Sequence, residues 1–78
     1  MKKTDEALRD INEAIKIALE PDGELYYLRG GAWNQLGQHQ KALKDFQLAL
    51  KLDPNDERFQ IALDNTFAKL SASRKKQQ

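Results

Sequence analysis

Apolar residues recur along the chain at three- and four-residue steps, and the breakers between the runs divide it into four helical segments. In the first, Ala7, Leu8, Ile11, Ala14, Ile15 and Ala18 fall on one face. Thr4 is placed to cap its start, Asp5 and Glu6 suit the positive end of its dipole, and Pro21-Asp22-Gly23 stops it. The second begins near Glu24 with Asp22 as a cap and carries Leu25, Tyr26, Leu28, Trp33 and Leu36 as far as Gly37, a left-handed stop. The third runs from about His39 to Leu52 and closes at Asp53-Pro54, because proline disfavours helical geometry in the residue before it. The fourth, capped by Asn55 or Asp56, holds Phe59, Ile61, Leu63, Phe67 and Leu70. It fades through Ser71-Ala72-Ser73, leaving residues 73–78 as a polar tail expected to be disordered. Connections of two to five residues force successive helices antiparallel. The pattern therefore predicts an all-α chain of about four helices in antiparallel hairpins.

A longer period lies over the helical one. Ala7-Leu8-Arg9-Asp10-Ile11 and Ala14-Ile15-Lys16-Ile17 line up, 35 residues on, with Ala42-Leu43-Lys44-Asp45-Phe46 and Ala49-Leu50-Lys51-Leu52. A fixed period in this range marks stacked units, each of which cannot bury its apolar face alone and is completed by its neighbour. Between the second and third helices the small Gly30, Ala42 and Ala49 alternate with the large Tyr26, Trp33 and Phe46. Bulky side chains then fill the gaps left by small ones, which predicts burial of both Trp33 and Phe46.

Residues 23–56 resemble one complete tetratricopeptide repeat, a helix-turn-helix unit with the pattern W-x2-L-G-x2-Y, then A-x3-F, then P. Tyr26 stands for the first aromatic, Gly30 for the glycine, Trp33 for the second aromatic, Ala42 and Phe46 for the A-x3-F pair and Pro54 for the proline; Arg29 departs from the pattern's leucine. The resemblance implies a right-handed solenoid. Residues 1–22 then supply the second helix of a partial preceding repeat. Residues 57–72 supply the first helix of a partial following one, a capping helix in which Gln60 and Asp64 replace Tyr26 and Gly30.

Composition narrows the function. Seventy-eight residues form one small domain with little room for an enclosed catalytic cavity. Thirteen basic against twelve acidic residues give no global attraction to nucleic acid or an anionic membrane. The absence of cysteine excludes disulfides and thiolate metal sites. Met1-Lys2-Lys3 is followed by Thr4-Asp5-Glu6 rather than an apolar run, and no stretch approaches the roughly 20 apolar residues that span a bilayer. A soluble, cytoplasmic protein is expected. His39 is the single histidine and reads as a turn residue; Asp10 and Asp45 recur with the repeat and read as solvated surface carboxylates. With no phosphate loop, metal-ligand cluster or acid–base pair, neither a catalytic site, a metal site nor a cofactor is expected.

Protein recognition remains. In the family, the first helices of successive repeats line a concave groove for an extended peptide or a partner helix. Carried to this chain, the resemblance implies a peptide-binding set of Tyr27, Asn34, Gln35, Arg58, Asn65 and Lys69, of which Tyr27, Asn34 and Asn65 are expected to contribute little to folding. Amide side chains both donate and accept, which suits them to a peptide backbone. The lysine and asparagine by which some members clamp a carboxylate tail are replaced by Tyr27 and Gly31. The rival reading is a structural or engineered minimal repeat unit or fragment whose property is folding or self-association. Leu8, Ile11 and Ile15 then form an open apolar edge that pairs two copies in a homodimer, or a hairpin is exchanged across Pro21-Asp22-Gly23 in a domain swap.

Overall fold

The computed structural model describes the backbone of residues 2–19 and 21–76 and the side chains of 3–19 and 21–72. Four helices follow one another as α1 (Lys2–Ile17), α2 (Gly23–Gln35), α3 (His39–Leu52) and α4 (Glu57–Lys76), with no strand among the described residues. Each packs on the next in chain order, α1 on α2, α2 on α3 and α3 on α4. This is the expected succession of antiparallel hairpins. Asp22 caps α2, its Oδ1 accepting from the Leu25 amide at 3.2 Å. At the start of α4 Asp56 rather than Asn55 acts, accepting from the Arg58 amide at 3.0 Å. Gly37 ends the α2 turn at φ 79°, the left-handed geometry that glycine adopts without a Cβ penalty.

Two boundaries differ from expectation. Helix α1 already includes Lys2, so Thr4 lies inside it, and the Thr4 hydroxyl donates to Gln35 Oε1 at 3.0 Å instead of capping. Helix α4 runs on to Lys76, because Ser73-Arg74-Lys75-Lys76 contains neither glycine nor proline to stop it. The tail expected from residue 73 is thus helical through Lys76, and Gln77 and Gln78 lie outside the described residues.

The core centres on Phe46, 2% exposed, and Phe59, 1% exposed, with Ala32, Ala42, Ala49 and Leu8 around them. Gly30 is the reason that α2 and α3 approach so closely: a Cβ built on it would sit 2.5 Å from the Phe46 ring. Truncating an aromatic packed in this way costs about 3–5 kcal/mol. Trp33 differs from expectation, being half-buried rather than enclosed, with the Lys41 ammonium 4.6 Å from its ring centroid in a cation–π contact. On α4 the inward residue is Thr66, which is fully buried, while Phe67 is 61% exposed.

Asp45 also departs from the surface role read from its recurrence. It is 3% exposed and receives both the Nε and the Nη2 of Arg29 at 2.8 Å, a two-pronged pair across α2 and α3. The remaining Arg29 prong, Nη1, donates to Asn12 of α1 at 2.9 Å. Its hydrogen bonds to Asp45 hold the Arg29 guanidinium charged and raise its pKa against the opposing effect of burial. Where the repeat pattern has leucine, arginine thus ties three helices together. The repeat equivalent Asp10 is exposed.

Candidate peptide-binding groove

Helices α2 and α4 meet along a valley stitched at three levels. At its lower end Arg58 Nη2 donates to Glu24 Oε1 at 2.8 Å. Halfway up, the Tyr27 and Phe59 rings lie 5.1 Å apart between centroids. Above them Asn34 Nδ2 donates to Thr66 Oγ1 at 2.9 Å. The valley encloses a groove of about 370 Å³ lined by Tyr27, Asn34, Arg58, Ile61, Ala62, Asn65 and Lys69. Five of the six residues carried over for peptide binding are therefore neighbours here: Tyr27, Asn34, Arg58, Asn65 and Lys69.

Gln35 is elsewhere. Its carbonyl accepts the Thr4 hydroxyl, and it borders a second hollow between α1 and α2, with Ala7, Ile11, Leu28 and Gly31, that shares Tyr27 and Ala62 with the first. The edge formed by Leu8, Ile11 and Ile15 is likewise not open along its length, since Leu8 is 7% exposed and Ile11 and Ile15 are half-buried. Helix α1 needs its apolar side chains for its own packing on α2.

Asn34 does more for the fold than expected. Its Oδ1 accepts from His39 Nδ1 at 2.7 Å while its Nδ2 donates to Thr66, whose hydroxyl in turn donates to the Ala62 carbonyl at 2.8 Å. This relay joins the start of α3 to α2 and α4, and it commits both ends of the Asn34 amide internally. Tyr27 is also partly structural: half-buried, it packs on Phe46 at 5.9 Å as well as on Phe59. Both depart from the expectation of residues that matter little to folding.

The groove floor is rigid at one end and open at the other. The Arg58 guanidinium bonds both oxygens of Asp56, at 3.1 and 2.9 Å, and Glu24, and lies over the rings of Tyr27 and Phe59 at 5.2 and 5.3 Å. The bonds to Asp56, then to Glu24, raise the Arg58 pKa, and the same Arg58 bond lowers that of Asp56. Asn65 and Lys69 take no part in this network and are exposed, as is Ile61 at 58%. The arrangement offers an apolar step, an amide and a cation to a chain laid along α4.

Residues 23–56 match the family model of the tetratricopeptide repeat. The chain carries a tetratricopeptide repeat. No curated protein and no solved structure is matched by the chain. Tetratricopeptide repeats serve in general as non-enzymatic units of protein–protein interaction, so the matched segment speaks for protein partners. No helix among the described residues is long and apolar enough to cross a membrane.

Thr66 and the Arg29–Asp45 pair lie outside the site residues that the sequence suggests. A signal for Thr66 exists: Phe59, Leu63, Thr66 and Leu70 follow steps of four, three and four, the spacing of one helix face, whereas Phe67 falls beside it. Arg29 and Asp45 lie on different helices, and nothing in their local spacing announces that they meet.

Proposed function

We propose that the valley between α2 and α4 is a recognition groove that holds a peptide or helix of another protein, with no chemical step. The observation that supports it best is the exposed Ile61 beside a Tyr27 packed on Phe59 and Arg58, flanked by the exposed Asn65, whose amide makes no hydrogen bond to another side chain among the described residues. An apolar anchor site next to a preordered aromatic costs little side-chain entropy on binding. Peptides selected against the full chain from a random display library test it. Ile61→Lys is expected to weaken them about tenfold or more, by removing an apolar anchor, with little change in melting temperature, whereas Leu48→Lys outside the groove leaves them bound. Equal binding by the Ile61 variant removes the reading.

The structural alternative, with self-association as the main property, draws on Phe67 rather than on α1. A phenylalanine 61% exposed on α4 is an apolar surface that a second copy would cover. Sedimentation across a wide concentration range decides it. A concentration-dependent dimer abolished by Phe67→Lys supports it, and a constant 9.0 kDa species excludes it.

A further inference from the structure

The two halves of the 35-residue repeat carry the same helix face, covered in one and bare in the other. On α3, Ala42, Asp45, Phe46 and Ala49 are buried, and α2 is their cover: Arg29 donates two nitrogens to Asp45 at 2.8 Å, and Gly30 leaves room for the Phe46 ring. On α1 the equivalent residues are Ala7, Asp10, Ile11 and Ala14. Ala7 and Asp10 are exposed, Ile11 and Ala14 are half-buried, and Asp10 forms no ion pair among the described residues. Beside this face lies the hollow of about 370 Å³ between α1 and α2, where Ala7 and Ile11 meet Leu28, Gly31 and Gln35. A Cβ at Gly31 would touch nothing within 4 Å, so the hollow reaches down to the α2 backbone.

We propose that this face of α1 and the adjoining hollow seat a helix of another protein, laid on α1 as α2 is laid on α3, that carries a basic residue followed by glycine or alanine. The basic residue meets Asp10 as Arg29 meets Asp45, and the small residue lets the two backbones close over Ile11, the counterpart of Phe46. An apolar side chain of the same helix fills the hollow over Gly31. Charge favours a basic partner: Glu6 and Glu13, one turn before and after Asp10, are exposed beside it, while Arg9 and Lys16 lie about a third of a turn round the helix. A second copy does not fit the seat. Helix α4 presents Leu63 and Asp64 where α2 has Arg29 and Gly30, so on α1 it would cover Asp10 without a cation and set a second carboxylate against Ile11. In α2 itself Arg29 and Gly30 are already engaged by α3. The seat shares only Tyr27 and Ala62 with the α2–α4 groove and does not rest on the reading of that groove.

Capped alanine-based peptides of about twenty residues, long enough to be helical, test it when titrated into the isotope-labelled full chain. One carries Leu-x-x-Arg-Ala-x-x-Leu at its centre, after the Tyr26, Arg29, Gly30 and Trp33 spacing of α2, and a second has Glu in place of Arg. The arginine peptide is expected to shift the Ala7, Ile11 and Gly31 amides and to bind about five- to tenfold more tightly than the glutamate peptide. In Asp10→Arg, a change at an exposed position, the preference passes to the glutamate peptide. A ranking indifferent to Asp10→Arg, or no shift at Ala7, Ile11 and Gly31 with either peptide, overturns the seat. Shifts at Ile61 and Asn65 instead overturn it and leave the α2–α4 groove standing. Shifts spread through α3 mean that the peptide has displaced α2, which overturns it as well.

Discussion

Two neighbouring glycines of α2 are present for different reasons. Gly30 admits the Phe46 ring, and alanine there has no room. At Gly31 a Cβ would meet nothing within 4 Å, so its only consequence for the fold is the flexibility that glycine brings to a helix interior. Gly31→Ala is therefore expected to raise stability by about 0.8–1 kcal/mol, and Gly30→Ala to lower it. Denaturant unfolding of the two variants should give shifts of opposite sign. Asp56 supplies a second prediction at this scale. Its pKa is lowered by Arg58, so its contribution is fully present above the unfolded value of about 3.9. It is lost as pH falls from there through the lower folded value. In a carboxyl titration followed by NMR, Arg58→Gln is expected to bring Asp56 back toward the ordinary value. An unmoved titration would mean that the ion pair is absent in solution.

Between elements, the polar residues decide how helices are joined. The Asn34–Thr66 bond joins α2 to α4, and Arg29 joins α2 to α1 and α3. Asn34→Ala takes the donor from the fully buried Thr66 hydroxyl, which keeps its own bond to the Ala62 carbonyl, and a loss of about 0.5–1.5 kcal/mol follows from one hydrogen bond removed. Thr66→Val removes the other partner. If the bond forms, the double variant should lose less than the sum of the two single ones. Strict additivity in a double-mutant cycle would show that it does not. The same residues mark how far the sequence could be read. Helix number, order and stops followed from Pro21, Gly37 and Pro54, because these act through local backbone geometry. The meeting of Tyr27, Asn34, Arg58, Asn65 and Lys69 followed from the repeat register. The burial of Asp45 and the internal commitment of Asn34 did not, because each depends on a partner supplied by another helix, whereas the inward turn of Thr66 in place of Phe67 was legible in the face shared by Phe59, Leu63, Thr66 and Leu70.

Across the whole molecule, stability should be graded along the row of helices rather than uniform. Contacts run chiefly between chain neighbours, so each helix is held by those beside it, as in other repeat stacks. Helices α2 and α3 are held from both sides. Helix α4 docks through Phe59 and Thr66, both almost wholly buried. Helix α1 packs mainly on α2 and contributes one fully covered apolar side chain, Leu8, while Ile17 at its end is 72% exposed. Its opening uncovers little apolar surface and breaks the Arg29–Asn12 and Thr4–Gln35 bonds without disturbing the Arg29–Asp45 pair. Local opening of α1 should accordingly be less costly than global unfolding. In native-state hydrogen exchange, α1 amides are expected to exchange first and with little denaturant dependence, while those around Phe46 in α3 follow the global transition. Leu8→Ala should speed exchange in α1 alone. If α1 and α3 instead exchanged with the same free energy in wild type, the four helices would form a single cooperative unit and the graded picture would fail.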